Sequence, residues 1–483
     1  VLLQGIFLPS MGISLFYHCR ICDTVALFSK IGAVSRMEHD LTSGKVFPTL
    51  ISFSIPYLIS YFLQTLYGMA DLFIIGRFCA VEATTAVSIG SQVMHMLTVM
   101  IVGLAMGTTV KIGHAIGSGD RSEVNRIIGN TVVLFAGIAV VSLVLLSRYV
   151  RPIVSLMSTP EEAAVGTVNY LLICFIGIPF VMAYNIISSI FRGLGDSKTP
   201  MYFVTIACVV NILLDYLFIG GCGLGPAGAA LGTTLAQGVS VILALIYIRK
   251  MNKISGFSRA DFRPQKETLL PILQVGIPVA AQDGLIQISF LLITVFANLR
   301  GLTDAAAVGI VEKIISFLFL IPSSMLSAVS ALAAQNIGAG KHDRVRLTLQ
   351  YALCIAVGMG FVWVILMQFA ADSAVALFTK DPTAIAMGGE YMRGYVWDCV
   401  FAGIHFCFSG YFCAYGKSWI SFLQNILSIV LARVPLAWYT ARFCLDSLFP
   451  MGLAAPAGSL LSVVVCLIAY KLLRKNSPEL QGK

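Results

Sequence analysis

The chain of 483 residues is 58% hydrophobic and only 11% charged, with a net charge of +9 and a mean hydropathy of +0.88. A soluble domain carries about 25% charged residues, so the composition excludes an ordinary soluble protein and marks an integral membrane protein. The apolar runs are continuous rather than alternating, which excludes a closed β-barrel and leaves an all-α bundle in the lipid bilayer.

Residues 1–36 are moderately apolar and lack a clean n-region or cleavage site. A polar stretch from Met37 precedes the first strong membrane run. The natural start is therefore expected at Met37, with 1–36 an upstream extension or disordered part of an N-terminal tail over 1–45. Cys19 and Cys22 form a lone CxxC, two of the four ligands that a structural zinc needs, so no metal site is expected there. Most other cysteines lie inside apolar runs and read as small core residues.

Twelve membrane helices are expected, at 47–76, 86–113, 125–147, 162–190, 200–220, 226–249, 268–297, 304–332, 346–370, 383–413, 418–441 and 451–473. Thr159-Pro160 and Asp381-Pro382 each read as an N-cap before a proline at the first helical position. The interior prolines Pro56, Pro179, Pro278 and Pro322 are expected to kink their helices.

Charge sets the expected orientation. With the N-terminus inside, the inner segments hold 20 Lys and Arg residues and the outer segments 6. Both termini should therefore be cytoplasmic. The cations lie between apolar runs, with no basic stripe interleaved with aromatics, so no nucleic-acid partner is expected.

The chain repeats itself. Ser54-Ile-Pro56 resembles Gly276-Ile-Pro278, Ala115-Ile-Gly-Ser-Gly119 resembles Asn336-Ile-Gly-Ala-Gly340, and Tyr170 matches Tyr391, all at offsets of 221 or 222. The chain then divides into an N-terminal six-helix bundle (46–250), a basic linker (251–267), a C-terminal six-helix bundle (268–473) and a tail (474–483). An even number of helices per repeat gives both bundles the same orientation: parallel repeats around a central cavity, the architecture of a secondary transporter.

Polar residues inside the runs carry the chemistry. A charge at the centre of a membrane helix costs roughly 2.5–3.5 kcal/mol on insertion scales. The first half nonetheless places Asp71 on helix 1, Tyr170 and Asn185 on helix 4, Asn211 and Asp215 on helix 5 and Thr233 on helix 6. Asn211 and Asp215 are four apart and share a helix face. If that face meets Asp71, two carboxylates, an amide and a hydroxyl converge. Oxygen ligands suit a hard cation, and like charges resist joint ionisation, so such a cluster could hold Na⁺ or a proton. The milder alternatives are an Asp71 that faces the water interface and amides that join helices.

The stretches SIPYLISYFLQTLYGMADLFIIGRF, GTTVKIGHAIGSGDRSEVNRIIG, FRGLGDSKTPM, VVNILLDYLFIGGCGLGPAGAALGTTLAQ, VGIPVAAQ and AAQNIGAGKHDRV together resemble the multidrug and toxic compound extrusion (MATE) family, over nearly all of residues 38–475. The resemblance implies twelve helices in two bundles and export of amphipathic, often cationic compounds, driven by inward Na⁺ or H⁺ flow. It implies that Asp71, Asn211, Asp215 and Thr233 form the cation-coupling site, with Tyr170 and Asn185 in its polar network. Some members carry further acids on helices 7 and 10. Here Ile286 or Gln287 stands at the first position and Ala402 near the second, so a cation site in the second half is not expected. Asp283, Gln287 and Asp398 remain candidates for touching a cationic drug.

Met94, among the methionines of helix 2, is a further candidate for substrate contact, against ordinary packing. His95, His114 and His405 are isolated and no HExxH occurs, so an enzyme is not expected. The reading is a cation-coupled multidrug antiporter, expected as a monomer without cofactors, in the plasma membrane of a prokaryote. The alternatives are a lipid-linked precursor flippase, which should line its cavity with several Lys or Arg residues, and a membrane-embedded hydrolase or sensor.

Overall fold

The computed structural model describes residues 40–251 and 258–476. The expectations placed on Met37 and on Cys19 and Cys22 lie outside the described residues. Apolar segments in lipid must satisfy their backbone groups internally, and the described residues do so entirely with helices and short connections. In the first half the spans are α1 (Val46–Phe78), α2 (Val81–Ser118), α3 (Arg121–Arg148), α4 (Glu161–Ile176 with Ile178–Gly193), α5 (Lys198–Gly221) and α6 (Gly225–Lys250). In the second half they are α7 (Lys266–Arg300), α8 (Leu302–Gly338), α9 (His342–Ala376), α10 (Pro382–Ala414), α11 (Ser418–Phe443) and α12 (Phe449–Lys475). The two parts of α4 bend by 48° and count together as the twelfth span.

The prolines act less uniformly than expected. In α4 the break falls at Gly177, and Pro179 sits in the first turn of the second part, where its missing N–H costs no bond. Pro322 likewise follows a break after Leu318 in α8. Pro56 and Pro278 lie inside uninterrupted helices. Asp381 caps α10 as expected, accepting from the Thr383 amide at 3.0 Å. Thr159 does not cap α4; its hydroxyl donates back to the Val154 carbonyl at 2.9 Å, and the helix begins at Glu161. Arg192 lies just past the end expected for the fourth span at residue 190, yet it is helical. It closes the last turn of α4, buried, with its guanidinium 4.6 Å from the centre of the Tyr57 ring.

The cores show how the halves meet. One apolar cluster belongs to the first half alone and includes Ile74, Val87, Leu171, Ile219 and Ala230. A second belongs to the second half alone and includes Ile293, Val308, Val311, Tyr395 and Ala437. Both lie toward the end of the bundle away from the described chain ends. Toward the other end one cluster joins Leu50 and Phe53 of α1 and Val110 of α2 to Val279, Leu332 and Phe412 of the second half, and another sets Ile272 of α7 among Ala105, Ile112 and Ile190 of the first.

Glycines permit that junction. A Cβ on Gly107 of α2 would collide with the Ile272 carbonyl of α7, and one on Gly338 of α8 with the His114 carbonyl of α2. The lead-in segments cross over at the same end. Arg344 of α9 donates to the Ser43 and Gly44 carbonyls ahead of α1 at 2.9 and 2.7 Å. Asn130 of α3 donates to the Asp261 carbonyl and accepts from the Gln265 amide ahead of α7, at 3.0 and 2.7 Å. Each half therefore holds the entrance of the other. The halves are knit together at one end and keep separate cores at the other.

Candidate functional site

The site forms inside the first half, where α1, α5 and α6 converge. Asp71, Asn211 and Asp215 are 5%, 2% and 0% exposed. The one-turn spacing of Asn211 and Asp215 places both on the face of α5 that meets the other two helices. Immediately after Asp215, α5 widens into π-helical turns over Tyr216–Gly221, a local irregularity frequent at functional positions. Gly232 of α6 makes room for the acid, because a Cβ there would collide with Asp215 Oδ1.

The polar atoms form a chain across the three helices. The Asn211 side-chain amide donates to the Thr233 hydroxyl at 3.4 Å, and that hydroxyl donates to Asp71 Oδ2 at 3.2 Å. The Asp215 carboxylate faces Asp71 within hydrogen-bonding reach. Four buried oxygens have no donor: Asp71 Oδ1, Asn211 Oδ1 and both carboxylate oxygens of Asp215. Among the described residues no ion pair joins either acid to a Lys or Arg. Buried acceptors left this way cost on the order of 1–3 kcal/mol each, more when charged. The set is acceptor-only, so it fits a bound cation or added protons.

Other residues singled out in the sequence fall in different places. Tyr170 is buried close to Asp71 and Tyr67, against Gly90. Asn185 donates to the Val181 carbonyl at 2.8 Å, which ties it to its own helix. Met94 packs on the first-half core. Asp283 of α7 reaches Gly103 of α2 where the halves meet, and Gln287 lies one turn further along α7. Asp398 is fully buried and paired with Arg433, whose Nη2 is 3.3 Å from its Oδ2.

The sequence reading missed Tyr67 and Gln237, which interact beside Asp71. Each stands four residues from a cluster member, Tyr67 before Asp71 and Gln237 after Thr233, so helical spacing was the available signal. It also missed Arg433 as the partner of Asp398, a pairing between α10 and α11 that no local spacing announces. Among the described residues, no group of three or more His, Cys, Asp or Glu side chains could hold a metal ion.

Two parallel six-span repeats, joined at one end and carrying buried carboxylates within the first, define a multi-pass membrane transporter rather than an enzyme. The MatE family model matches residues 56–217 and again 278–439, in phase with the internal repeat, and the chain belongs to this family of multidrug and toxin exporters. The chain is similar to the probable multidrug resistance protein YpnP of Bacillus subtilis, 30% identical over 84% of this chain and 90% of that one. It is also 26% identical to a FAD transporter of Shewanella oneidensis, over 89% of this chain and 95% of that one. A solved structure of a multidrug resistance MATE family transporter in an outward-facing conformation superposes with a TM-score of 0.85. It is 21% identical and covers 91% of this chain and 99% of that one, a likeness of fold.

Proposed function

We propose that the protein exports amphipathic, often cationic organic compounds by antiport against Na⁺ or H⁺, with the coupling ion held by Asp71, Asn211 and Asp215 and positioned through Thr233. The observation that carries the reading is the acceptor-only cluster: four donorless oxygens, buried, with no cationic side chain paired to either acid. In the cycle, ion binding in the state open away from the termini lowers the affinity for drug, which leaves. The loaded carrier reverses, loses its ion and takes up new drug. By linkage the drug must weaken ion binding by the same factor.

The charge count supports cytoplasmic termini, and the bacterial relatives support a plasma-membrane location. The halves meet within one chain, which supports a monomer. The flippase alternative calls for free cations in the cavity. Of Lys313, Arg393 and Arg433, the cations in or near the second-half spans, Arg433 is instead paired with Asp398 and Arg393 with Asp372, which leaves Lys313 without an ion pair among the described residues.

The test is ethidium accumulation in bacteria lacking their own exporters. Wild type should lower accumulation and an equally expressed Asp215→Asn variant should not. Unchanged accumulation with well-expressed wild type would count against the drug-export reading.

A further inference from the structure

Each half encloses a pair of carboxylates, Asp71 with Asp215 and the buried Asp398 with the half-buried Glu312, and the two pairs differ in their cationic partners. In the first half Asp71 and Asp215 have no cationic partner among the described residues. In the second half Asp398 of α10 and Glu312 of α8 both interact with Arg433 of α11. The Arg433 guanidinium is 3.3 Å from Asp398 Oδ2, donates to the Tyr395 hydroxyl at 3.0 Å, and lies 4.9 Å from the centre of the Phe290 ring.

The repeat aligns the framework of the two clusters but not their acids: at the same offset Asp71 and Asp215 fall on Ile293 and Ala437, and the second-half acids stand instead on the second and fourth spans of their half. The offset of 222 that pairs Pro56 with Pro278 puts Arg433 at the position of Asn211. Tyr391 takes the place of Tyr170. Gly458 abuts Arg433 as Gly232 abuts Asp215. The residue after each glycine is a hydroxyl beside the acid of its own half: Thr233 at Asp71, Ser459 at Asp398. Both clusters also sit at π-helical turns in the fifth span of their half, Tyr216–Gly221 and Ile429–Arg433.

What each cluster leaves unpaired separates them. The unpaired atoms of the Asp71–Asn211–Asp215 cluster are oxygens only. The second-half cluster leaves the acceptors Asp398 Oδ1 and Glu312 Oε1 together with the donor Arg433 Nε. A guanidinium stays charged at any physiological pH and is tethered to its helix, so it cannot exchange with solvent ions.

We propose that the second-half cluster fills the counterpart of the first-half cation site with acids from other spans, the Arg433 guanidinium standing where a coupling ion would bind, so that ions enter the cycle through the first half alone. The proposal rests on the first-half cluster being the coupling site.

The test counts the coupling ion in purified full-length protein, as ²²Na⁺ bound or, where only a pH gradient drives transport, as protons released when drug binds. The other titratable groups facing Asp398 and Arg433 are Glu312, Tyr391, Tyr395, Cys399 and His405, and Glu312 also faces Lys313. Asp398→Asn and Glu312→Gln should each leave the wild-type count unchanged, because the cluster contributes no exchangeable ion. Arg433→Gln should add one equivalent, since it uncovers the acids. Loss of an equivalent in Asp398→Asn or Glu312→Gln overturns the proposal, as does a folded Arg433→Gln protein that binds no more than wild type. If Arg433→Gln does not fold, the two acid variants decide. A wild type whose count is indifferent to Asp71→Asn would instead contradict the first-half coupling site, and a gain in Arg433→Gln would still identify the closed counterpart.

Discussion

The Thr233 hydroxyl donates to Asp71 Oδ2 at 3.2 Å, joining α6 to α1 across 162 residues of chain. It also receives the Asn211 amide, so one hydroxyl orders the acid and the amide at once. A hydrogen bond to a charged group contributes about 1.5–3 kcal/mol. Thr233→Val, which keeps the shape and removes the hydroxyl, should weaken affinity for the coupling ion by about tenfold or more. Ion dependence of transport in proteoliposomes measures this, and Thr233→Ser should restore most of it.

Gly232 sets the position of Asp215 by leaving no side chain in its way. Gly232→Ala forces a methyl against the carboxylate, and overpacking of this kind costs typically about 1–3 kcal/mol. The expected result is a lower melting temperature together with loss of ion-driven export. Gly238, further along α6, meets its nearest neighbour only at 3.9 Å, so Gly238→Ala should be near neutral in the same two assays.

The termini-side junction is held by charge as well as by packing. Arg344 donates to the Ser43 and Gly44 carbonyls and to Asn336 Oδ1, while the Leu41 amide donates to Gln335 Oε1 at 3.3 Å. The bonds from Arg344 and Gln335 to residues 41–44 run between the second half and the lead-in of the first, and so favour closure at this end. Arg344→Ala should raise hydrogen exchange of the 40–44 segment by at least about tenfold, the equivalent of about 1.4 kcal/mol. It should also shift the carrier toward the state open on the side of the termini.

Packing of the same junction gives an independent perturbation. A side chain at Gly107 or Gly338 meets backbone carbonyls of the opposite half, which cannot swing aside. Gly107→Val and Gly338→Val should both disfavour closure at that end. Export should fall, while binding of ²²Na⁺ or protons at the first-half cluster persists, since neither glycine touches it.

Much of this was legible in the sequence where the signal is local or periodic. Apolar runs located all twelve spans, because lipid allows few other solutions, and the 222-residue offset between Pro56 and Pro278 exposed the two halves. Asp71, Asn211, Asp215 and Thr233 stood out as polar residues in apolar runs, and the structure brings all four together. Pairings between distant helices were not legible. Nothing near Asp398 announces Arg433, and nothing near Asn185 shows that its amide turns back on its own helix. Breaks were half legible: proline marks α4 and α8 only because the first turn of a new segment tolerates it, and the break in α10 after Tyr395 has no proline at all.

The central claim is that Asp71 and Asp215 hold the ion that drives export. The most direct measurement is drug transport in proteoliposomes under a Na⁺ gradient and a pH gradient, imposed separately, for wild type and Asp215→Asn. One gradient should drive concentrative transport by wild type, and the folded variant should lose that drive while still binding drug. Concentrative transport by Asp215→Asn at the wild-type rate, under the same gradient, would contradict the account.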